Sequence, residues 1–390
     1  MNSPEATRTV LALNIGSASV KAASYALGAA AGGGQSIILE TGRILVESTR
    51  TSLSTPADDA EKLLARVAQH FSNMGDAPDT VAHRIVHGCD RAGPVELTPP
   101  ILADLAGFSA WAPLHQGPAL ALVDAAIQRY PGARQIGVFD TSWHQTMPEK
   151  HRALAVPYAL YARGVKRYGF HGSAFQSVMR QLNGVAPGLV QGRVVLAHLG
   201  GGSSLCAVLN GRSVSTTMGM TPLGGIPMAT RSGSLDPGVL LHLQRSLAMS
   251  PDEIDRLLWQ ESGLKGISGE SGDMRQLLAS TADGARLAID VYVSGIVQGV
   301  AAMAACIGGL DALVFSGGIG AHAAEIRARV TDELGWLGLV IDAESNQAGA
   351  QNLTAAASLV STYALAVDEE NEMVVSIAAL DADDTAQTQL

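Results

Sequence analysis

The feature that most constrains the fold is a recurring apolar run that ends in Gly, Ser, Asp or Asn. "TVLALNIG" from Thr9, "RQIGVFDT" from Arg134, "RVVLAHLGGG" from Arg193 and "LDALVFSGGIG" from Leu310 all have this form. Each is β-branched or Leu-rich and short, and each is read as one strand. Helical patterns lie between them. In "AAEIRARVTDELG", Ile326, Val330 and Leu334 recur every fourth residue, and Gly335 is placed just past the end of the helix. Alternating strands and helices predict α/β layers, in which ligands sit beyond the carboxyl ends of the strands, where these polar and Gly residues fall.

Two strand ends resemble each other. "LALNIGSAS" from Leu11 and "LAHLGGGSS" from Leu196 share a pattern in which His198 falls on Asn14, nearly half the chain further on. Strand-to-Gly turns are common in α/β proteins, so the match fits either coincidence or two homologous halves facing a cleft. With 390 residues and 47% hydrophobic content, two domains with large cores are expected and disorder is excluded for most of the chain. The segment "AAAGGGQS" at 29–36 is expected to be a flexible hairpin loop.

The chain carries 36 acidic and 26 basic side chains, a net charge of −10, and its basic residues are scattered. That argues against a nucleic-acid or anionic-membrane partner. Cys89, Cys206 and Cys306 show no metal-ligand spacing, which suits reduced thiols. The start lacks a basic segment followed by an apolar one, and no run of about 18 uncharged apolar residues occurs, so a soluble cytoplasmic protein is expected.

Several motifs carry residues suited to phosphate chemistry. "NIGSASVK", Asn14 to Lys21, follows a strand and offers Ser17, Ser19 and Lys21 to phosphate oxygens, though it fits a capped hairpin turn with an exposed Lys as well. Arg84 in "AHRIVHG" lies on an otherwise apolar strand, where its planar fork suits a carboxylate or phosphate ligand or a structural Asp. Asp140 in "VFDTSWHQTMP" stands at a strand end, positioned to orient a reacting group, to help hold Mg²⁺ or to cap a helix. His171 in "RYGFHGS" suits a hydrogen-bond donor to a phosphoryl group or a structural role, and His115 in "APLHQGP" suits a structural role.

The stretch from His198 to Gly238 is the densest in Gly, Ser and Thr. His198, Gly200, Gly201 and Gly202 open it, and Arg231 in "MATRSGSLDP" closes it with a guanidinium. Backbone N–H groups in such a loop can point at phosphate. Two arginines, several Gly turns and no general-base motif suggest phosphoryl transfer, which depends on positioning and charge neutralisation. "FSGGIG" would let a flat adenine lie against its backbone, and "VDEENE" supplies carboxylates near the C-terminus, or a solvated acidic helix start.

Taken in series, "HRIVHG", "FDTSWHQTMP", "YGFHG", "STTMGMTPL" and "TRSGSLDPG" resemble the acetate kinase family, also called the acetate and propionate kinase family, across about residues 10–375. The resemblance implies a duplicated actin-like and sugar-kinase α/β fold with two domains flanking an active-site cleft. We expect one domain over 1–141, completed by a helix at 374–390, and another over 142–373. It implies a homodimer and reversible in-line transfer from ATP to acetate with Mg²⁺ or Mn²⁺, giving acetyl phosphate and ADP. Asn14 and Glu369 would position the metal, with Glu370 or Glu372 as alternatives. Ser17, Ser19 and Lys21 would line the phosphate side. Arg84 and Arg231 would hold the carboxylate and the equatorial oxygens, His171 would donate to the phosphoryl group, and Asp140 would orient the site. Asp273, Met274 and Arg275, with Gly318, Ile319 and Gly320, would flank the nucleotide, and Val86, Leu114, Phe170 and Pro222 would form a small methyl pocket.

The sequence departs from the family pattern at several positions. Gly201 stands where the family generally has Asn, Phe175 replaces a His, Ala18 a Ser and Gly224 a Glu, and Ala321-His322 replaces Glu-Asn. These changes bear on nucleotide affinity and donor choice more than on transfer. A kinase for propionate or butyrate, one with a donor such as pyrophosphate, and a non-catalytic nucleotide-binding regulator are the alternatives. The β-branched Val86 favours acetate over longer acids, although one methylene is worth only about 1–3 kcal/mol.

Overall fold

The structure, a computed structural model, describes residues 8–16, 19–28, 37–47, 56–71 and 77–388. Ser17, Ala18 and the loop expected at 29–36 lie outside the described residues. The chain forms two compact units, one made of Met1–Trp143, Gly172–Ser177 and Asp368–Leu390, the other of His144–His171 and Val178–Val367.

The first unit is built on a mixed sheet. Its strands are β1 (Arg8–Ile15), β2 (Ser19–Gly28), β3 (Ile37–Glu47), β4 (Thr80–Ile85), β5 (Val95–Glu96) and β6 (Arg134–Phe139). They lie in the order β3-β2-β1-β4-β6-β5, with β1, β4 and β6 parallel and the others antiparallel to their neighbours. Side chains alternate across a strand. Leu11, Leu13 and Ile15 therefore pack with Leu63, Leu64 and Val67 of the helix Pro56–Phe71 and with Leu122 and Ala126 of the helix Gln116–Arg129. Val10 and Ala12 face the other way, onto Met373, Val374 and Ile377 of the C-terminal helix Glu369–Thr388. Burial on both faces explains why β1 reads as an unbroken apolar run.

The second unit repeats this connectivity. Its strands are β7 (Arg193–Leu199), β8 (Ser203–Leu209), β9 (Arg212–Thr216), β10 (Ala312–Ser316) and β11 (Ser361–Ala364), ordered β11-β10-β7-β8-β9. β7 pairs antiparallel with β8 and parallel with β10, as β1 does with β2 and β4. The likeness of the two strand ends thus has a topological counterpart, and the expected duplicated α/β fold is what the chain forms.

The long helix Asp283–Cys306 buries Tyr292, Val293, Ile296 and Val300 against Val195, Ala197, Leu199, Leu205 and Ala207. By length and hydropathy alone it could cross a membrane, yet here it is the core helix of this unit. The helix Ala324–Glu333 ends with Leu334 as its cap, so Gly335 does follow it. The left-handed residue is Gly338 instead, at φ +88°, because a 3-10 turn over Gly335–Leu337 continues the coil.

Candidate functional site

In the first unit, parallel strands deliver polar side chains at their carboxyl ends. Asn14 is next to last in β1, Arg84 is next to last in β4, and Asp140 directly follows β6. The Asp140 carboxylate, 1% exposed, accepts from Arg84 Nε at 2.9 Å and Nη2 at 2.7 Å. Arg84 Nη1 also reaches Asn14 Oδ1 at 3.1 Å and Glu369 Oε2 at 3.4 Å. Burial alone would depress the Arg84 pKa, but Asp140 and Glu369 overcome that cost and hold it above the ordinary value. The sequence left a ligand-binding Arg and an Arg paired with Asp as alternatives. The structure shows the pair.

Two glutamates open the C-terminal helix beside Asn14. Its Nδ2 donates to Glu369 Oε2 at 2.8 Å and to Glu370 Oε1 at 2.7 Å. Arg43 of β3 distinguishes the two, because its Nη1 donates to Glu370 Oε2 at 2.6 Å while its Nη2 reaches Asp368 at 2.8 Å. Glu370 thereby shares a guanidinium with Glu40 and Asp368. Sequence reasoning missed Arg43, since only Glu40 and Tyr25 among its partners are near it in sequence, and Asp368 and Glu370 lie at the other end of the chain. Among the described residues no group of three or more His, Cys, Asp or Glu gathers as a metal cage. Oxygen donors from Asn14 and Glu369 fit a hard cation that takes most of its ligands from phosphates and water.

The second unit gathers a different set. His171 has a left-handed backbone at φ +62°, where it precedes the helix Gly172–Val185. Its Nδ1 meets Ser204 Oγ at 2.8 Å, and its ring lies 4.6 Å from that of His198. A Cβ on Gly202 would sit 3.0 Å from Arg231 Nη2 and 3.1 Å from His171 Nε2. Glycine lets two side-chain nitrogens converge closely on that backbone. Gly201 differs, since a Cβ there would meet nothing within 4 Å.

Arg231 is 8% exposed, and its Nη1 donates to the Pro222 carbonyl at 2.8 Å. Among the described residues no carboxylate pairs with it, and burial pushes its pKa down to about 10. A buried cation without a counter-ion is costly, so this arrangement suits an anion that arrives from outside. At neutral pH the guanidinium is still charged.

The remaining expected residues are placed as follows. Lys21 is exposed on β2, opposite Asn14, and Ser19 opens the same strand. Val86 and Phe170 are buried, Pro222 is buried, and Leu114 is half-buried. His144, also buried, donates from Nε2 to the Phe170 carbonyl and pairs through Nδ1 with Ser213 Oγ, bracing the residue before His171. Gly318, Ile319 and Gly320 belong to the short helix Gly317–His322 after β10. Gly317, at φ +75°, is where glycine is needed, because a Cβ would lie 2.5 Å from the Leu199 carbonyl oxygen. Asp273 caps the helix Met274–Ala279 and pairs with the exposed Arg275, while Met274 belongs to the buried core of this unit. The structure brings Asn14, Arg84, Asp140 and Glu369 together in one unit, and His171, His198, Gly202 and Arg231 in the other.

Known proteins share this organisation. An acetate kinase of Rhodopseudomonas palustris is 46% identical over 294 residues, which cover 74% of each chain. An acetate kinase of Nitrobacter hamburgensis is 38% identical over 380 residues, 93% of each chain. The crystal structure of a propionate kinase from Francisella tularensis matches with a TM-score of 0.82 at 30% identity, covering 95% of this chain and 98% of that one. With the acetokinase family model matching residues 9–376 as well, the chain belongs to the acetokinase family, kinases that transfer a phosphoryl group to a carboxylate.

Proposed function

We propose that this enzyme is an acetate kinase that transfers the terminal phosphoryl group of ATP to acetate, reversibly and with Mg²⁺, giving acetyl phosphate and ADP. The observation that carries the proposal is Arg231, a buried guanidinium with no carboxylate partner, whose Nη2 converges with His171 Nε2 beside Gly202. Phosphoryl transfer needs donors aimed at the equatorial oxygens, and little else from the protein. Arg231 and His171 supply those donors, and the Gly200–Gly202 turn with His198 supports the nucleotide phosphates. Gly318, Ile319 and Gly320 flank the base, as do Asp273 and Arg275.

Arg84 holds the acceptor carboxylate, oriented by Asp140. Asn14 and Glu369 hold the Mg²⁺, which when bound neutralises the donor's phosphate charge. Glu369 is favoured over Glu370 because Arg43 already pairs with the latter. The β-branched Val86 favours acetate over longer acids. The enzyme acts in the cytoplasm as a homodimer, for which the exposed Leu235, Val239, Leu240, Leu241 and Leu247 on and beside the helix Pro237–Arg245 offer an apolar face.

The test is Mg²⁺-dependent ADP formation by the purified protein, comparing acetate, propionate and butyrate at equal concentration with a no-acid control. Turnover greatest with acetate is expected. Turnover greatest with propionate would reassign the acceptor, and no turnover with any acid would remove ATP as the donor.

A further inference from the structure

Three strands of the second unit place a row of polar side chains side by side. Ser316 of β10 is the register partner of His198 on β7, and His198 is the register partner of Ser204 on β8. Ser204 and Ser316 are fully buried. Ser316 Oγ lies 3.4 Å from His198 Nδ1, and the row ends where Ser204 Oγ meets His171 Nδ1 at 2.8 Å. His171 itself is not in the sheet. Its backbone is left-handed, and its ring touches the Ser204 hydroxyl and lies 4.6 Å from the His198 ring.

We propose that Ser204 is a positioning residue for phosphoryl transfer, its hydroxyl fixing the tautomer and plane of His171 so that the proton-bearing Nε2 faces the Gly202 turn. The inference rests on the role assigned above to His171. A neutral imidazole carries one N–H, and the partner of one nitrogen decides which nitrogen bears it. A serine hydroxyl can donate or accept, and it is donation to Nδ1, the sense proposed for the 2.8 Å contact, that leaves the proton on Nε2, the atom that converges with Arg231 Nη2 on Gly202. Without that donor the ring can take the other tautomer, which would turn a lone pair toward the phosphoryl oxygens. Such an error weakens transfer while leaving both substrates able to bind.

A double-mutant cycle on the full-length protein tests this. Ser204→Ala is expected to lower kcat about ten-fold, with KM for ATP and acetate within about two-fold. In a His171→Ala background the same substitution should have no further effect, because the two residues act as one unit. An equal loss in both backgrounds, or wild-type kcat in Ser204→Ala while His171→Ala is impaired, overturns the proposal. Full activity in His171→Ala would instead overturn the role assigned to the histidine. Should Ser204→Ala disturb β8, the near-isosteric pair Ser204→Thr and Ser204→Val isolates the hydroxyl. Thr is expected to retain most of kcat and Val to lose it, and equal activity of the two overturns the proposal. Nitrogen-15 shifts of the His171 ring give a readout apart from turnover. A single Nε2-protonated form is expected in the wild type and a mixture in Ser204→Ala, and unchanged shifts would count against Ser204.

Discussion

Asp140 takes both arms of the Arg84 fork, at 2.9 Å and 2.7 Å, on a carboxylate that is almost wholly buried. Asn14 and Glu369 hold the third nitrogen, so the guanidinium cannot rotate without breaking several bonds. Removing one partner of a buried pair costs about 3–5 kcal/mol, and the remaining contacts of Arg84 place this case at the lower end. Asp140→Ala should therefore lose about 3 kcal/mol of stability in chemical denaturation. Its kcat/KM for acetate should fall by about 100-fold or more, because the acceptor's cation is no longer oriented.

The neighbouring glutamates should respond differently to the same change. Glu370 lies 2.6 Å from Arg43, whereas the nearest arginine nitrogen to Glu369 is that of Arg84, at 3.4 Å. Glu369→Gln should raise the Mg²⁺ concentration for half-maximal activity about ten-fold or more, since a hard cation loses an anionic ligand. Glu370→Gln should leave that concentration within about two-fold and lower the melting temperature slightly instead, because Arg43 loses one of its three carboxylate partners and keeps Glu40 and Asp368. Mg²⁺ titrations of the two variants, run beside thermal melts, separate these effects. The reverse pattern would move the metal to Glu370.

Acid should destabilise the fold through two buried imidazoles. Burial pushes His83 and His144 down to about 4 in the folded protein, while an unfolded His titrates near 6.5. As pH falls below about 6.5 the unfolded chain therefore takes up protons that the folded chain refuses. The stability contributed by the neutral rings is complete above that pH and declines toward pH 4, by at most about 1.4 kcal/mol per histidine per pH unit. His144→Asn should reduce the slope of unfolding free energy against pH between 6.5 and 4, by at most about 1.4 kcal/mol per pH unit. Denaturant titrations at several pH values would show this.

The strands were legible because burial on both faces leaves an unbroken apolar run, and because the polar residue ending each run marks a carboxyl end where chemistry gathers. Arg84 and Arg231 stood out as charges among apolar or small neighbours. Antiparallel partners such as β3 were less legible, since pairing depends on which strand lies alongside, and with them Arg43 was lost, two of whose three carboxylates, Asp368 and Glu370, are more than three hundred residues away. Ser204 is one serine in a Ser-rich stretch, and only the fold shows that it touches a histidine. Met274 matched a family segment, yet its side chain is part of the core, because sequence position cannot tell which way a helix residue turns.

Arg327 is a second buried guanidinium without a carboxylate, and its role is structural. It is 1% exposed, and it donates to the carbonyls of Gly320 and Ala321 and to both oxygens of Asn346. Those acceptors tie the short Gly317–His322 helix to the helix Ala343–Ala348. Arg327→Met should lose about 3 kcal/mol, the cost of leaving several buried carbonyls unsatisfied. Arg327→Lys should recover less than half of it, because one ammonium cannot span a planar fork's acceptors. Equilibrium unfolding of the two variants measures both losses.

The adjacent glycines Gly201 and Gly202 should behave in opposite ways. A methyl group on Gly202 would fall 3.0 Å from Arg231 Nη2 and 3.1 Å from His171 Nε2, closer than carbon normally approaches. Arg231 is pinned through Nη1 to Pro222, and His171 through Nδ1 to Ser204, so neither nitrogen can move without breaking a bond. The added methyl would push these donors aside by a few tenths of an ångström, so Gly202→Ala should lower kcat, by less than the roughly 100-fold that a misplacement of about 1 Å costs. At Gly201 the space is open, and Gly201→Asn should fold with an unchanged melting temperature. Its added amide can donate to nucleotide phosphate, so KM for ATP should fall while kcat changes little. Steady-state kinetics with ATP varied at saturating acetate would decide both cases. Normal turnover in Gly202→Ala would show that the convergence of the two nitrogens on this backbone is not used in transfer.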